Sequence, residues 1–158
     1  MTIDITLNRI KTIGNARHID IEANIKRRLI KLIEEIGEVS EAYLNMTYNN
    51  YKNKSWDDLR EELADSFIIL ADILFTYIDQ INVSKHDSDF FDKIPSTIFK
   101  ISSIPVILQS DNSSAIISMI DCLNDIYNIS LSKFPDSVQN DFNNLVNKKL
   151  DKWESQVK

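Results

Sequence analysis

Five acidic side chains in the first half of the chain stand where two neighbouring helices would bring them together. Glu34, Glu35 and Glu38 fall in one stretch, and Glu62 and Asp65 fall in another. On a helical wheel Glu35 lies about 40° from Val39, at the shoulder of an apolar stripe, and Glu38 follows one turn later on the same lane. Glu62 stands at the matching shoulder beside Leu59, with Asp65 on that lane next to Ile69. Each stretch therefore turns a carboxylate pair toward its partner helix rather than squarely toward water. If the two pack antiparallel, four carboxylates converge. Desolvation and mutual repulsion then raise their pKa values, and a divalent cation removes the conflict. An all-oxygen, carboxylate-only donor set suits Mg²⁺ or Mn²⁺ better than zinc or copper. Either pair alone better suits a solvated helix face. Two pairs, each at a stripe shoulder, favour the metal.

The elements that must carry these residues are helical. The chain has 158 residues, with only two glycines and three prolines, too few for a sheet protein with many tight turns. Ile25, Leu29, Leu32, Ile36, Val39 and Tyr43 recur at spacings of three and four, which predicts a helix over 21–47. A polar loop follows from Thr47 to Lys54. Ser55 caps a second helix, with Asp57 and Asp58 suited to the positive end of its first turn. Leu59, Leu63, Ser66, Leu70, Ile73, Tyr77 and Ile81 carry that helix to about Ile81–Asn82, and a loop runs from Val83 to about Asp92. The pattern is weaker elsewhere. A short helix is expected near Ile5–Ile13. Pro95 is placed to start a helix that Pro105 should end or kink. Asp111 or Ser113 caps a helix from about Ser114 to Leu131, and Pro135 opens a last one from about Asp136 to Val157. No linker composition interrupts the chain, so 1–158 reads as one all-α domain, an antiparallel helical bundle with a motif-bearing helix pair at 21–82.

Charge and composition restrict the partners. A formal net charge of -6 argues against a nucleic-acid polymer as ligand. It permits a nucleotide, provided metal ions bridge the two anions. The single cysteine, Cys122, lies in an apolar run and reads as a buried small hydrophobe. Neither a leader pattern nor an apolar run of membrane-spanning length is present, so a cytoplasmic location without membrane contact is expected.

The text around the acids also carries a resemblance. Lys31-Leu32-Ile33-Glu34-Glu35-Ile36-Gly37-Glu38-Val39-Ser40-Glu41-Ala42, followed after 23 residues from Glu38 by Glu62-Leu63-Ala64-Asp65, resembles the motif of the MazG-like nucleotide pyrophosphohydrolases of the all-α NTP pyrophosphatase superfamily. The likeness covers about residues 21–82 and thins beyond. Asn147-Lys148-Lys149 is only loosely similar to the phosphate-holding helix near the C-terminus of such proteins. Residues 93–134 exceed a minimal member and faintly echo a second helix pair without the acids.

The resemblance implies a Mg²⁺-dependent hydrolase that converts (d)NTP and water to (d)NMP and pyrophosphate. It implies Glu35, Glu38, Glu62 and Asp65 as metal ligands and Glu34, Glu35 and Glu38 as the catalytic group, with Glu34 either a further ligand or the base that orients water. Lys31, Lys54, Lys149 and Asp72 are candidate substrate contacts, and Tyr43, Tyr48, Tyr51 or Trp56 are candidates to stack on the base. It also implies a four-helix catalytic core completed by a second copy, as a homodimer or a tetramer, though helices after residue 93 offer an intrachain alternative. Two other readings stand beside it: a dUTP- or dCTP-selective pyrophosphatase, and a non-catalytic helical interaction module whose acids merely solvate it.

Overall fold

The described residues of the computed structural model are 2–17, 21–49, 52–132 and 141–156. Six helices follow one another: α1 (Ile3–Arg17), α2 (Ile21–Thr47), α3 (Trp56–Leu74), α4 (Ile94–Ser110), α5 (Asn112–Leu131) and α6 (Phe142–Ser155), with a 3-10 turn at Phe91–Lys93 leading into α4. No strand occurs among the described residues. Pro135, Val138, Val157, Tyr51 and His18, and the expected start of the last helix at Asp136, lie outside them.

The central element is α3. Its start follows the sequence closely: the Ser55 hydroxyl accepts from the Asp58 N–H (3.1 Å), and the Asp58 carboxylate accepts from the Ser55 N–H (2.6 Å). This reciprocal capping satisfies two donors that the first turn otherwise leaves open. Every residue from Ser66 to Leu74 is buried, the signature of a helix covered on all sides. It packs on α1, α2, α5 and α6, and Phe67 meets Phe142 edge-on at 5.5 Å. The apolar face of α2 lies against it through Leu32, Ile36, Val39 and Ala42.

α3 ends at Leu74 rather than near Ile81. Thr76 and Tyr77 donate to the carbonyls of Ile73 and Leu74 (3.0 and 2.9 Å), the tightened bonding that closes a helix. The chain then leaves the helix yet still buries Ile81. The apolar spacing therefore outlasts the element it marks. The loop that follows is held by one polar lane of α5: Asn124 Oδ1 accepts from the Ser84 N–H (2.9 Å), Asn128 Oδ1 from the His86 N–H (2.7 Å) and Ser132 Oγ from the Phe90 N–H (3.0 Å). Four helical residues rise about 6 Å, close to the span of two extended residues. A helix lane spaced by four can thus satisfy alternate N–H groups of an extended chain.

The remaining ends differ from expectation mostly in length. α1 extends beyond Ile5–Ile13 on both sides and is tied to α6 by Arg9, which donates to Asn147 Oδ1 (3.1 Å), Asp151 (2.6 Å) and Glu154 (2.8 Å). Pro105 lies inside α4 and does not end it. Asp111 caps α5, accepting from the N–H groups of Ser113 and Ser114 (3.0 and 3.3 Å), and Asp141 caps α6 by accepting from Asn143 N–H (3.0 Å).

α4 and α5 pack on each other, α4 against α2 and α5 against α3. The four-helix core is therefore completed within one chain, a correction to the expectation that a second copy supplies it. The second pair has no acidic quartet. Its buried acid, Asp125, is answered by Lys100 (2.9 Å) and Lys93 (3.7 Å). No helix among the described residues is long and apolar enough to cross a membrane.

Candidate metal and anion site

α2 and α3 run antiparallel, and the register that packs their apolar faces also pairs their polar lanes. Arg28 faces Asp72 (3.4 Å), Glu35 faces Asp65, and Glu38 shares a hydrogen bond with Glu62. One oxygen from each of Glu35, Glu62 and Asp65 lies within 4.8 Å of the others. Glu35 is buried, and Glu62 and Asp65 are half-buried. Glu38 is exposed at the rim and joins the group through Glu62.

The electrostatics are those of acids drawn out of water. Burial pushes the Glu62 carboxyl up from 4.5 to about 7, helped by the hydrogen bond that protonated Glu62 donates to Glu38 and by the charges of Glu38 and Asp65, with Lys149 opposing. Burial likewise raises Glu35, partly offset by its bond to Lys31, and raises Asp65, partly offset by its bond to Lys149. Lys31 lies 2.6 Å from Glu35 and 3.1 Å from Glu34. Lys149 reaches from α6 to pair with Asp65 and stands 3.8 Å from Glu61. Carboxylates whose charge is disfavoured by burial and by one another fit a divalent cation, and their donor atoms are all hard oxygens.

The other expected residues divide. Glu34 is exposed and held by Lys31 at the edge, outside the convergent group. Asp72 is buried against Arg28, neither solvated nor among the convergent oxygens. Lys54 lies beside Glu41 and Asp58. Tyr43 and Trp56 pack on Phe91 (6.5 and 5.2 Å) on the core side of the helix pair, and Tyr48 is exposed.

Beside the acids lies a feature that the sequence did not disclose. A cleft of about 630 Å³ begins at Asp65 and is lined by Arg17, Arg27, Arg28, Lys31, Lys149 and Lys152, with Trp153 and the second acid, Asp72. Four helices contribute to it: the end of α1, the first half of α2, α3 from Asp65 to Asp72, and the last turns of α6. Arg28 is buried, donating to the Asp72 carbonyl (2.8 Å) and the Asn24 carbonyl (3.3 Å). The Arg17 guanidinium stacks over the Trp153 ring at 4.7 Å. No protein-family model matches the chain, and no curated protein or solved structure gives a significant match. Acids able to hold a cation beside a cleft rich in cations are what a metal-bridged phosphate ester requires.

Proposed function

We propose that the protein is a Mg²⁺-dependent nucleoside triphosphate pyrophosphohydrolase of the MazG-like kind. One observation carries this reading: donor oxygens of Glu35, Glu62 and Asp65 converge within 4.8 Å at the mouth of a basic cleft. A solvated acidic face, as an interaction module would have, does not explain carboxylates pushed up by burial.

Glu35, Glu62 and Asp65 would hold the cation, with Glu38 beside them at the rim. Bound there, a divalent ion lowers the pKa of water and neutralises charge on the phosphoryl oxygens. A water oxygen bonds to the α-phosphorus, and the bond from that phosphorus to the oxygen bridging to the β-phosphate breaks. The nucleoside monophosphate and pyrophosphate are released. Glu38, open to solvent and bonded to Glu62, is placed to take the water proton. Lys31 and Lys149 stand between acids and cleft. Lys31 and Lys149 pair with Glu35 and Asp65, and both ammonium groups would turn to phosphate oxygens where those acids held a cation instead. Such positioning and charge stabilisation carry most of the catalysis in phosphoryl transfer.

The homodimer is also a proposal, and its support is a second stripe on α2. Ile30, Ile33, Leu44 and Tyr48 are exposed, and Gly37 lies among them, where an added Cβ would meet nothing within 4 Å. A mid-helix glycine costs roughly 0.5–1 kcal/mol relative to alanine, and nothing inside the chain requires it here. A second copy of α2 crossing antiparallel at Gly37 would set Ile30 against Leu44 and bring the backbones close. Sedimentation velocity tests this: a dimer that Ile30→Asp converts to monomer is expected, and a wild-type monomer at high micromolar concentration refutes it.

The activity test is pyrophosphate release from a panel of canonical and modified NTPs and dNTPs, with Mg²⁺ and with EDTA. Mg²⁺-dependent release is expected, falling at least roughly 100-fold in Glu38→Gln with unchanged circular dichroism. A wild-type chain without Mg²⁺-dependent release, or a fully active Glu38→Gln, refutes the reading. A single strongly preferred pyrimidine substrate would replace the broad specificity with a dUTP- or dCTP-selective one.

A further inference from the structure

The cleft contains more positive charge than the fold needs, and its order along the bundle is informative. Lys31 and Lys149 stand level with Asp65, at the end nearest the acids. One helical turn further, roughly 5 Å along the axis, come Arg27, Arg28, Lys152 and, stacked on Trp153, Arg17. Beyond them the lining is neutral, with Asn24 and Gln156. The cations thus form two tiers, two lysines and then four residues, starting at the acids and stopping after about one turn.

Not all of this charge serves the fold. Arg28 is answered by Asp72, and Arg17 is carried by an aromatic face. Arg27 and Lys152 have no ion pair among the described residues, although the chain as a whole is acidic at -6. Like charges gathered in a cleft repel one another and are stabilised by an anion. On the other side of the acids the nearest cation is already engaged: Lys52 pairs with Glu41, and its N–H donates to Asn45 Oδ1 (3.2 Å). Among the described residues of the cleft Ile69 is the one aliphatic, and the Trp153 ring is engaged by Arg17. That lining suits phosphate and offers little to a nucleobase.

We propose that this cleft holds the outer two phosphates of the substrate, β on Lys31 and Lys149 and γ on Arg27, Lys152 and Arg17, so that the protein selects for triphosphate length rather than for the base. This deepens the pyrophosphohydrolase reading and rests on it for the position of the α-phosphate. The larger tier faces the terminal phosphate, which carries the greater charge. Arg28 acts as a positioning residue, holding α2 and α3 in register behind the tier. Trp153 likewise positions Arg17.

The probe is inorganic tripolyphosphate, titrated calorimetrically into the full chain with Mg²⁺ and, separately, with EDTA, beside a nucleoside monophosphate as control. The binding variants are Arg27→Ala and Lys152→Ala, singly and together. Arg27 and Lys152 are exposed, and their melting temperatures should match wild type. Each substitution is expected to weaken tripolyphosphate at least roughly tenfold, the scale of one charge-assisted hydrogen bond, while monophosphate affinity stays within about twofold. In kinetics KM for triphosphates should rise several-fold with kcat little changed. The gap in kcat/KM between a nucleoside triphosphate and its diphosphate should shrink. Unchanged tripolyphosphate affinity in the double variant overturns the proposal, and so does an equal loss for the monophosphate. Tripolyphosphate binding that needs Arg27 and Lys152, in a chain with no Mg²⁺-dependent hydrolysis, would leave the anion cleft standing and remove the hydrolase. Hydrolysis with unchanged tripolyphosphate binding in the variants would do the reverse.

Discussion

Replacing Glu62 by Gln separates the site's electrostatics from its packing. The amide keeps the shape and can still bond to Glu38, but it cannot ionise. In the wild-type chain burial and Glu38 push the Glu62 carboxyl from 4.5 to about 7, so the folded state binds this proton more tightly than the unfolded chain. Its contribution to stability is fully present below pH 4.5 and is lost as pH rises through about 7. Undamped, a difference of that size corresponds to about 3 kcal/mol. The group is only half-buried, and screening by solvent reduces this to about 1–2 kcal/mol. Glu35, Glu38, Asp65, Glu61, Lys31 and Lys149 face the same space and are present in both proteins, so their common part cancels in the comparison. Glu62→Gln should therefore overtake wild type above pH 7, by ~2–8 °C in melting temperature at pH 8, and differ least near pH 5. Mg²⁺ should act oppositely. At ten times its Kd it stabilises wild type by about 1.4 kcal/mol and the variant by much less. Thermal unfolding at pH 5, 6, 7 and 8, with EDTA and with Mg²⁺, gives both results. A wild-type-to-variant difference that is flat with pH, or equal stabilisation of both by Mg²⁺, refutes the reasoning.

Other outcomes follow from single contacts. Asp72→Asn leaves the buried Arg28 without its carboxylate and should cost about 3–5 kcal/mol in urea unfolding; a cost below about 1 kcal/mol would show that the pair does not hold the register. Cys122 is fully buried and its thiol is pushed up to about 12 by burial, so thiol reagents should modify it only at the rate of unfolding, and fast modification of the native chain would contradict the packing of α5. Gly37→Ala should raise the stability of a monomer by about 0.5–1 kcal/mol while weakening self-association; gains in both would remove the proposed contact at that glycine.

The helices were legible wherever local chemistry and burial agree. α2 has one apolar face and one polar face, and its bounds follow from that contrast. Ser55 and Asp111 mark helix starts because their side chains satisfy N–H groups that no helix can satisfy for itself. Helix ends lack such a signal here. α3 stops at Leu74 although Tyr77 and Ile81 keep the helical spacing, since burial of Ile81 demands only that the chain stay near the core. Pro105 misleads in the opposite sense. The missing N–H is a local loss, and burial of Ile101 and Ile104 before it, with half-buried Ile107 and Leu108 packed on the core after it, keeps α4 continuous.

The acids and the cations of the site differ in the same way. Glu35, Glu38, Glu62 and Asp65 sit on two helices adjacent in sequence, so one wheel for each and an antiparallel turn suffice to bring them together. The cations of the cleft come from the end of α1, the start of α2 and the end of α6, and only tertiary packing joins these. Arg9 fixes α6 on α1 by bonding to Asn147, Asp151 and Glu154, which sets Trp153 under Arg17 and turns Lys149 toward Asp65. Read singly, each of these residues is an ordinary surface cation. Brought together in an acidic chain, they reverse the local sign of its field, and a highly charged anion can then approach a cluster of carboxylates. Net charge bears on a nucleic-acid polymer, which needs a long positive face. It carried no information about a short polyphosphate, because a small ligand responds to the field of one cleft rather than to the sum over the chain.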